Sequence, residues 1–554
     1  MNKKIITTCL IFAGLIILAP EHQACTNFLV TRGASVNGAT MISYAADSHT
    51  FYGELYYLPA QDYPAGSWLE IYEVETGRYL GKIKQIPHTF SVVGLMNEYQ
   101  VAMAETTFGG REGLNDTTAK LDYGNLMFIG LQRAKSAREA IEIMGELVAE
   151  YGYYSSGESI SISDKDEVWI LEIIGKGPGN KGAVWVARRI PDGYISAHAN
   201  HPRITTFPKD DPENCLYSKD VIDFAREKGW FNGKDKDFSF SDTYAPLDFS
   251  AARGCESRVW SFFSKVNSTM DQYLDYALGQ NLENRMPLWI KPDRKLSVQD
   301  MMTFMRDHFE GTPLDMTQDV GAGPYRLPYR WRPLTWQANG QTYCNERATA
   351  TQQTGFSCIT ESRNWLPDWI GGIFWFGVDD AATTVYTPMY CGITKVPDCF
   401  AVGNGDMLTY SSTSAFWAFN FVANFCYLRY DVMSKDVVRV QQQLENKFVQ
   451  NKPAIDKTAV ELYQVNKEVA RNFLTDYSVS MGSLTFDNWK KLGEYLLVKY
   501  IDGNIKKEKD GEFLRNGFSN NIPAMPSQPG YPEWWYEIIV EKTGDHLKVQ
   551  GEGH

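Results

Sequence analysis

Cys25, standing directly after Ala24 where a leader-like stretch ends, is the residue from which chemistry in this chain can be argued. If cleavage falls between Ala24 and Cys25, the new first residue carries a nucleophile and a base together. The freed α-amine, with an ordinary pKa of about 7.7–8.0, can take the thiol proton directly or through one water. Three separated pieces bear on that thiol: Asp47, the pair Glu105-Thr106, and Asn200, each at or near the end of a strand-like run. Taken singly, Asp47 and Asn200 read equally well as turn or cap residues, and Glu105-Thr106 as a structural strand end. His198 and His201 suggest a papain-like Cys–His pair, but the cysteine opens a strand rather than a helix and lacks the local papain signature. With no CxxC pair and no HExxH, the sequence indicates neither a metal site nor a cofactor.

The elements that must position these residues can be read in order. Alternation from Cys25 to Val30, then Asn37-Gly38, then Thr40 to Tyr44, predicts a hairpin with Cys25 at the start of its first strand and Asp47 soon after its second. Strands are expected over Thr89 to Met96 and Gln100 to Glu105, joined by a turn at Asn97-Glu98. A helix is expected from Ser136 to Tyr151, where Ala140, Ile141, Met144, Leu147 and Val148 recur at helical spacing. Ser159 to Ser163 and Val168 to Ile174 form a second hairpin around Asp164 to Glu167, with Ala183 to Ile190 and Tyr194 to Ala199 continuing it. Helices are expected at Ser218 to Lys228, Glu256 to Val266 and Ser297 to His308, the last capped by Ser297. Buried strands are expected at Ala348 to Thr360 and Trp369 to Val378. Beyond Gly403-Asn404-Gly405, helices are read at Ser414 to Met433, Asp436 to Val449, Thr458 to Tyr477 and Asp487 to Ile501, and a strand at Glu537 to Glu541. This pattern is α+β with layered packing rather than a βαβ repeat.

Composition sets the frame. With 44% hydrophobic and 22% charged residues, the 554-residue chain can bury a large core and divide into more than one part. A formal charge of −13 argues against nucleic acid as a partner. Residues 1–24 have a basic head, an apolar middle too short to serve comfortably as a permanent span, and a polar end, which is the pattern of a secretory signal. Export to a periplasmic or extracellular location is therefore expected. His22 fits the small-residue cleavage pattern poorly, so an earlier cut near Ala19 followed by a second, autocatalytic or proteolytic, is an alternative. A lipid anchor on Cys25 is another, with a weaker fit at Glu21-His22-Gln23-Ala24. Of nine cysteines, seven remain once Cys9 and Cys25 are set aside, an odd and scattered set that is no disulfide framework; Cys391 and Cys399 are either a local bridge or buried thiols.

Several segments together resemble one family. Cys25-Thr26, Asn37 to Ile42, Asp47-Ser48, Asn97-Glu98, Ala104-Glu105-Thr106, Asp164 to Trp169, Tyr329 to Leu334, Thr351 to Gly355 and Trp375 to Asp380 are similar, in order, to the N-terminal-cysteine dipeptidases of the N-terminal-nucleophile hydrolase superfamily. The resemblance, which runs to about Arg429, implies a four-layer αββα sandwich, taken as residues 25–405, and the helical pattern beyond makes 406–554 a mainly helical C-terminal region. It implies dipeptide or small-peptide substrates, with Cys25 as nucleophile and, through its amine, base. Asp47 would hold that amine, and Asn200 would help form the oxyanion site or orient the substrate; Tyr44, Glu105, Thr106 and Arg258 are candidate substrate-binding residues. One departure stands out: three residues before the Asp, where these dipeptidases and the related bile-salt and penicillin amidases carry Arg, this chain has Tyr44. Arg258 is a candidate replacement, against the plainer reading of an exposed helix arginine. The alternatives to a dipeptidase are an amidase acting on N-acyl amino acids or bile-salt-like conjugates, and a silent surface-binding protein that keeps the fold. Self-association is left open by the sequence.

Overall fold

The computed structural model of the protein describes residues 25–551. The expected leader, Met1–Ala24, lies outside them. The body begins with β1 (Asn27–Val30) and β2 (Thr40–Asp47). β3 (Tyr57–Leu58), β4 (Val92–Val93), β5 (Met96–Asn97) and β6 (Ala102–Phe108) follow. Helices α1 (Tyr123–Arg133) and α2 (Ala137–Tyr151) precede β7 (Gly157–Ser163), β8 (Val168–Gly175), β9 (Ala183–Arg189), β10 (Ile195–His198) and β11 (Cys215–Tyr217). The middle of the chain supplies α3 (Ser257–Ser264), β12 (Trp289–Ile290), α4 (Val298–Phe304), β13 (Thr354–Ser362), β14 (Ile373–Val378) and β15 (Thr387–Tyr390). Four helices close it: α5 (Ala415–Cys426), α6 (Tyr430–Val465), α7 (Lys467–Tyr500) and α8 (Glu533–Thr543).

These strands build a seven-stranded sheet, ordered β12-β10-β1-β2-β13-β14-β15, and an eight-stranded one, ordered β11-β9-β8-β7-β6-β5-β4-β3. Pairing is antiparallel, with Leu29 opposite Ile42 in the first sheet and Glu105 opposite Ile160 in the second. The hairpin that opens the first sheet turns on Gly38 at φ +80°, while the Asn37 side chain accepts from the Ala39 amide at 3.1 Å. β2 is buried over its whole length, because it is paired on both edges and packs across onto β6 and β7 of the other sheet. Helices α1 and α2 lie on the second sheet, whereas α3, α4, α5 and α7 pack on β10, β13, β14 and β15 of the first. The result is a mixed α/β body with a helical C-terminal part seated against the first sheet.

Several sequence expectations are met closely. α2 starts where the Ser136 side chain accepts from the Glu139 amide and stops at Gly152, φ +81°. α4 carries a capping box between Ser297 and Asp300.

Others are corrected. Asp47 is the last residue of β2 rather than a residue beyond it. The strand expected from Ala348 starts at Thr354, and Asp368–Gly371 is a single helical turn ahead of β14. The gap expected between helices at Asp436 to Val449 and Thr458 to Tyr477 is closed, since α6 runs through Pro453 to Val465, and the break falls instead at Asn466, ahead of α7. Proline costs a helix a hydrogen bond and a clash, but here tertiary contacts grip both sides. Lys452 reaches Glu361 at 2.6 Å, and Asp456 pairs with Arg363 and accepts from the Tyr390 hydroxyl. The run Glu537 to Glu541, read as a strand from its branched residues, is helical within α8, where Pro532 and Glu533 supply the start signal. Cys391 and Cys399 are both free thiols. Among the described residues, no helix is long and apolar enough to cross a membrane, and no cluster of His, Cys, Asp and Glu has the makings of a metal site.

Candidate active site

Three strand ends meet at Cys25. The cysteine immediately precedes Thr26, which bridges to Ala45 near the end of β2; Asn27 pairs with His198 at the end of β10. That register carries Ala46-Asp47 and Ala199-Asn200 to either side of Cys25. The facing sheet brings the middle of β6, Glu105-Thr106, against it, since that strand runs on to Phe108 instead of ending at Glu105 as the sequence suggested.

Cys25 is fully buried. Its sulfur lies 3.6 Å from Glu105 Oε1 and 3.7 Å from the Tyr44 hydroxyl. Burial first, and then the charges of Glu105 and Asp47, push the thiol pKa well above its ordinary range, against the Asp47 backbone amide and the neighbouring Tyr44 hydroxyl, to which the thiol donates. Tyr44 donates to Glu105 Oε1 in a short hydrogen bond. Glu105 is also buried, and burial raises its pKa. Glu158 beside it is pushed well above the carboxylate range, by burial and then by the Glu105 charge. Burial beside Glu105 thus favours the protonated form of Glu158, which accepts from the Thr107 hydroxyl at 2.9 Å.

Asp47 has no exposed surface. Its two oxygens are taken up by the Thr354 hydroxyl at 2.6 Å and by the Arg347 guanidinium. Asn200 sits at φ +61°, a conformation asparagine tolerates better than most residues. It donates from Nδ2 to the Thr107 carbonyl at 2.7 Å and accepts at Oδ1 from Arg258 at 2.9 Å. Arg258 is not an exposed helix arginine but 1% exposed, and its fork reaches four acceptors. Nη1 donates to the Cys25 carbonyl at 2.6 Å and the Thr26 hydroxyl at 2.8 Å; Nη2 donates to the Ala199 carbonyl at 3.2 Å and to Asn200. One guanidinium thus ties the end of β1 to the end of β10, a task suited to its planar geometry. Burial and the neighbouring Arg347 lower its pKa to about 10, so it is charged at neutral pH.

Thr106 faces His198 instead of the thiol, its hydroxyl 2.7 Å from Nδ1, while His198 Nε2 is 2.7 Å from the Ser161 hydroxyl. Burial holds His198 down to about 3 and His201 down to about 4, so both are neutral imidazoles. His198 links the two sheets through hydroxyls and does not partner the cysteine.

The structure therefore brings Cys25, Tyr44, Asp47, Glu105, Asn200 and Arg258 into one cluster, with Thr106 one layer away. Sequence reasoning missed Arg347, Thr354 and Glu158. Thr354 lies in the Thr351 to Gly355 segment but carried no signal of its role, and the contact between Arg347 and Asp47 spans 300 positions.

Residues 53–443 match the model of peptidase family C69, more than half of the chain. The chain belongs to that family. It is a peptide hydrolase. A probable dipeptidase of Latilactobacillus sakei is 25% identical over 481 residues, covering 82% of this chain and 91% of that protein. A probable dipeptidase B of Lactococcus lactis is 24% identical, covering 82% and 88%; dipeptidase A of Lactobacillus helveticus is 24% identical, covering 69% and 78%. The segment matched by the C69 model holds Glu105, Asn200, Arg258, Arg347 and Thr354, and begins after Cys25, Tyr44 and Asp47.

Proposed function

We propose that this peptidase is a dipeptidase in which Cys25, freed as the first residue, attacks the single peptide bond of its substrate. The names of the relatives support the substrate class. The observation that carries the reading is the carboxylate of Glu105, 3.6 Å from the nucleophilic sulfur. In a dipeptide the α-ammonium stands on the carbon next to the attacked carbonyl, so attack by Cys25 brings that cation to Glu105. An N-acyl substrate has no cation to offer and would leave a buried acid facing an uncharged chain, which disfavours the amidase alternative.

The reaction then runs as two transfers. The α-amine of Cys25 takes the thiol proton; the thiolate bonds to the carbonyl carbon, and the amine returns the proton to the departing amino group as the peptide bond breaks. A thioester remains. Water, losing its proton to the same amine, attacks the thioester, and the thiolate leaves with the proton restored. Arg258 holds the Cys25 carbonyl and the Asn200 amide in register, Asn200 supports the carbonyl oxygen as charge develops, and Asp47, neutralised by Arg347, anchors the amine. The two sheets with helices on their outer faces form the αββα sandwich of N-terminal-nucleophile hydrolases, residues 25–405, with 406–554 as a helical annex. Residues 1–24 direct export and are removed.

The test is to produce the full chain by its native route, measure intact mass and N-terminal sequence, and assay dipeptide hydrolysis against Cys25→Ala. A chain beginning at unmodified Cys25 whose activity vanishes in the variant is the expected result. A stable, active chain that starts upstream, or activity surviving Cys25→Ala, removes Cys25 from the chemistry.

A further inference from the structure

Resting on that dipeptidase reading, we infer that the cavity beside Tyr44 receives the side chain of the substrate's amino-terminal residue and selects large apolar side chains, aromatic or long aliphatic. In the thioester the carbonyl carbon is bonded to Cys25 Sγ, and the next carbon carries both the ammonium and the side chain. Glu105 at 3.6 Å and the Tyr44 hydroxyl at 3.7 Å, hydrogen-bonded to each other, stand on the same side of the sulfur. Tyr44 also forms a wall of a cavity of about 420 Å³, so the cavity opens beside the pair that would receive the ammonium and lies within reach of the side chain on the same carbon. Phe51, Met127, Phe128, Phe356, Phe374 and Phe376 form much of its lining.

The volume and the aromatic wall favour a large apolar side chain, and the charge of the lining excludes an acidic one. An apolar cavity of about 150 Å³ takes up benzene, so the volume here accommodates a phenyl or indole side chain with room for water at the mouth. Gly94 keeps the wall open: its φ is +56°, and a Cβ there would lie 2.3 Å from the Phe374 ring. No lining residue is Lys or Arg, whereas Glu54 and Glu75 line the cavity. An acidic side chain would meet two like charges and no cation, so Asp and Glu at the amino-terminal position are disfavoured. Alanine or glycine would leave most of the apolar wall in contact with water.

The experiment uses the natively matured protein with Phe-Ala, Leu-Ala, Ala-Ala and Glu-Ala, reading kcat/KM. It is paired with calorimetric Kd values for the analogues in which the peptide C=O is reduced to CH2, which bind without turnover. Burying a full apolar side chain converts to about a 10- to 100-fold preference. Phe-Ala and Leu-Ala should exceed Ala-Ala by that factor in both readouts, with Glu-Ala lowest. Phe128→Ala, which removes one wall, and Val74→Trp, which fills the mouth from a position 47% exposed, should each reduce the Phe-Ala to Ala-Ala ratio at least fivefold. Equal binding across the series, or a ratio unmoved in both folded variants, overturns the cavity assignment whether or not hydrolysis is seen. Graded binding by the analogues without turnover of any dipeptide supports the cavity and overturns the dipeptidase reading.

Discussion

Replacing Glu105 with Gln separates recognition of the substrate ammonium from activation of the thiol. The side chain is buried with its oxygen 3.6 Å from Cys25 Sγ, and the amide has nearly the same shape, so the site should keep its packing. What is lost is a charge facing a cation. A hydrogen bond to a charged group contributes about 1.5–3 kcal/mol, and stranding one partner of a buried ion pair costs about 3–5 kcal/mol. The ammonium in the variant would still meet the Gln carbonyl oxygen, so a loss of about 2–4 kcal/mol is expected, or about 30- to 900-fold in kcat/KM. The assay compares Ala-Ala with N-acetyl-Ala-Ala. Only the free dipeptide should suffer, because the acetylated one carries no cation. The pH profile adds a second readout. Burial raises the Glu105 pKa, so in the wild type the carboxylate, and with it kcat/KM for free dipeptides, is lost as pH falls through that raised value. In Glu105→Gln this acid limb should disappear. Equal losses on both substrates would refute ammonium recognition and assign Glu105 to the thiol.

Three further outcomes are expected. Arg258→Lys cannot span the Cys25, Thr26, Ala199 and Asn200 acceptors, and kcat should fall about 10²- to 10³-fold, as for loss of an oxyanion-supporting donor; retention of more than a tenth of wild-type kcat in a folded variant would remove this arginine from positioning. Asp47→Ala leaves Arg347 buried without its carboxylate and should cost about 3–5 kcal/mol in urea denaturation, most of it recovered by adding Arg347→Met; a cost below about 1 kcal/mol contradicts the ion pair. Glu158 has its folded-state pKa raised far above the unfolded value, so the native state keeps a proton that the unfolded chain releases, and stability falls as pH rises from about 4.3 toward the raised value. Glu158→Gln resembles the protonated acid, so its urea midpoint should gain on the wild type between pH 5 and pH 8; a constant offset would mean that Glu158 is ionised in the fold.

What could be read from sequence followed the range of the interactions. The Asn37-Gly38 hairpin, α2 and the start of α4 are set by turn and cap chemistry within a few residues, and each was legible. Asp47 and Asn200 were legible as strand-end candidates, but Arg347, Thr354 and Glu158 reach the site only through sheet packing across distant strands. Arg258 had a local signal that was underweighted. Ser257 to Phe263 is buried on every side, and a helix of Val, Trp and Phe around a single arginine has no solvent face to give it. The helical breaks expected near Pro453 failed for the opposite reason, because ion pairs to Glu361 and Arg363 outweigh a local rule.

The protonated thiol also bears on the enzyme's durability. Oxidants and alkylating agents attack thiolates, and here Glu105, Asp47 and burial all disfavour the thiolate. On the proposed mechanism a dipeptide would bring its own cation to Glu105 and so cancel one of the charges that hold the proton on sulfur. Reactivity would thereby be tied to occupancy, and slower alkylation of the mature protein by iodoacetamide without a bound dipeptide analogue than with one is the expected result. A nucleophile held in that way would outlast, between substrates, a cysteine kept permanently ionised.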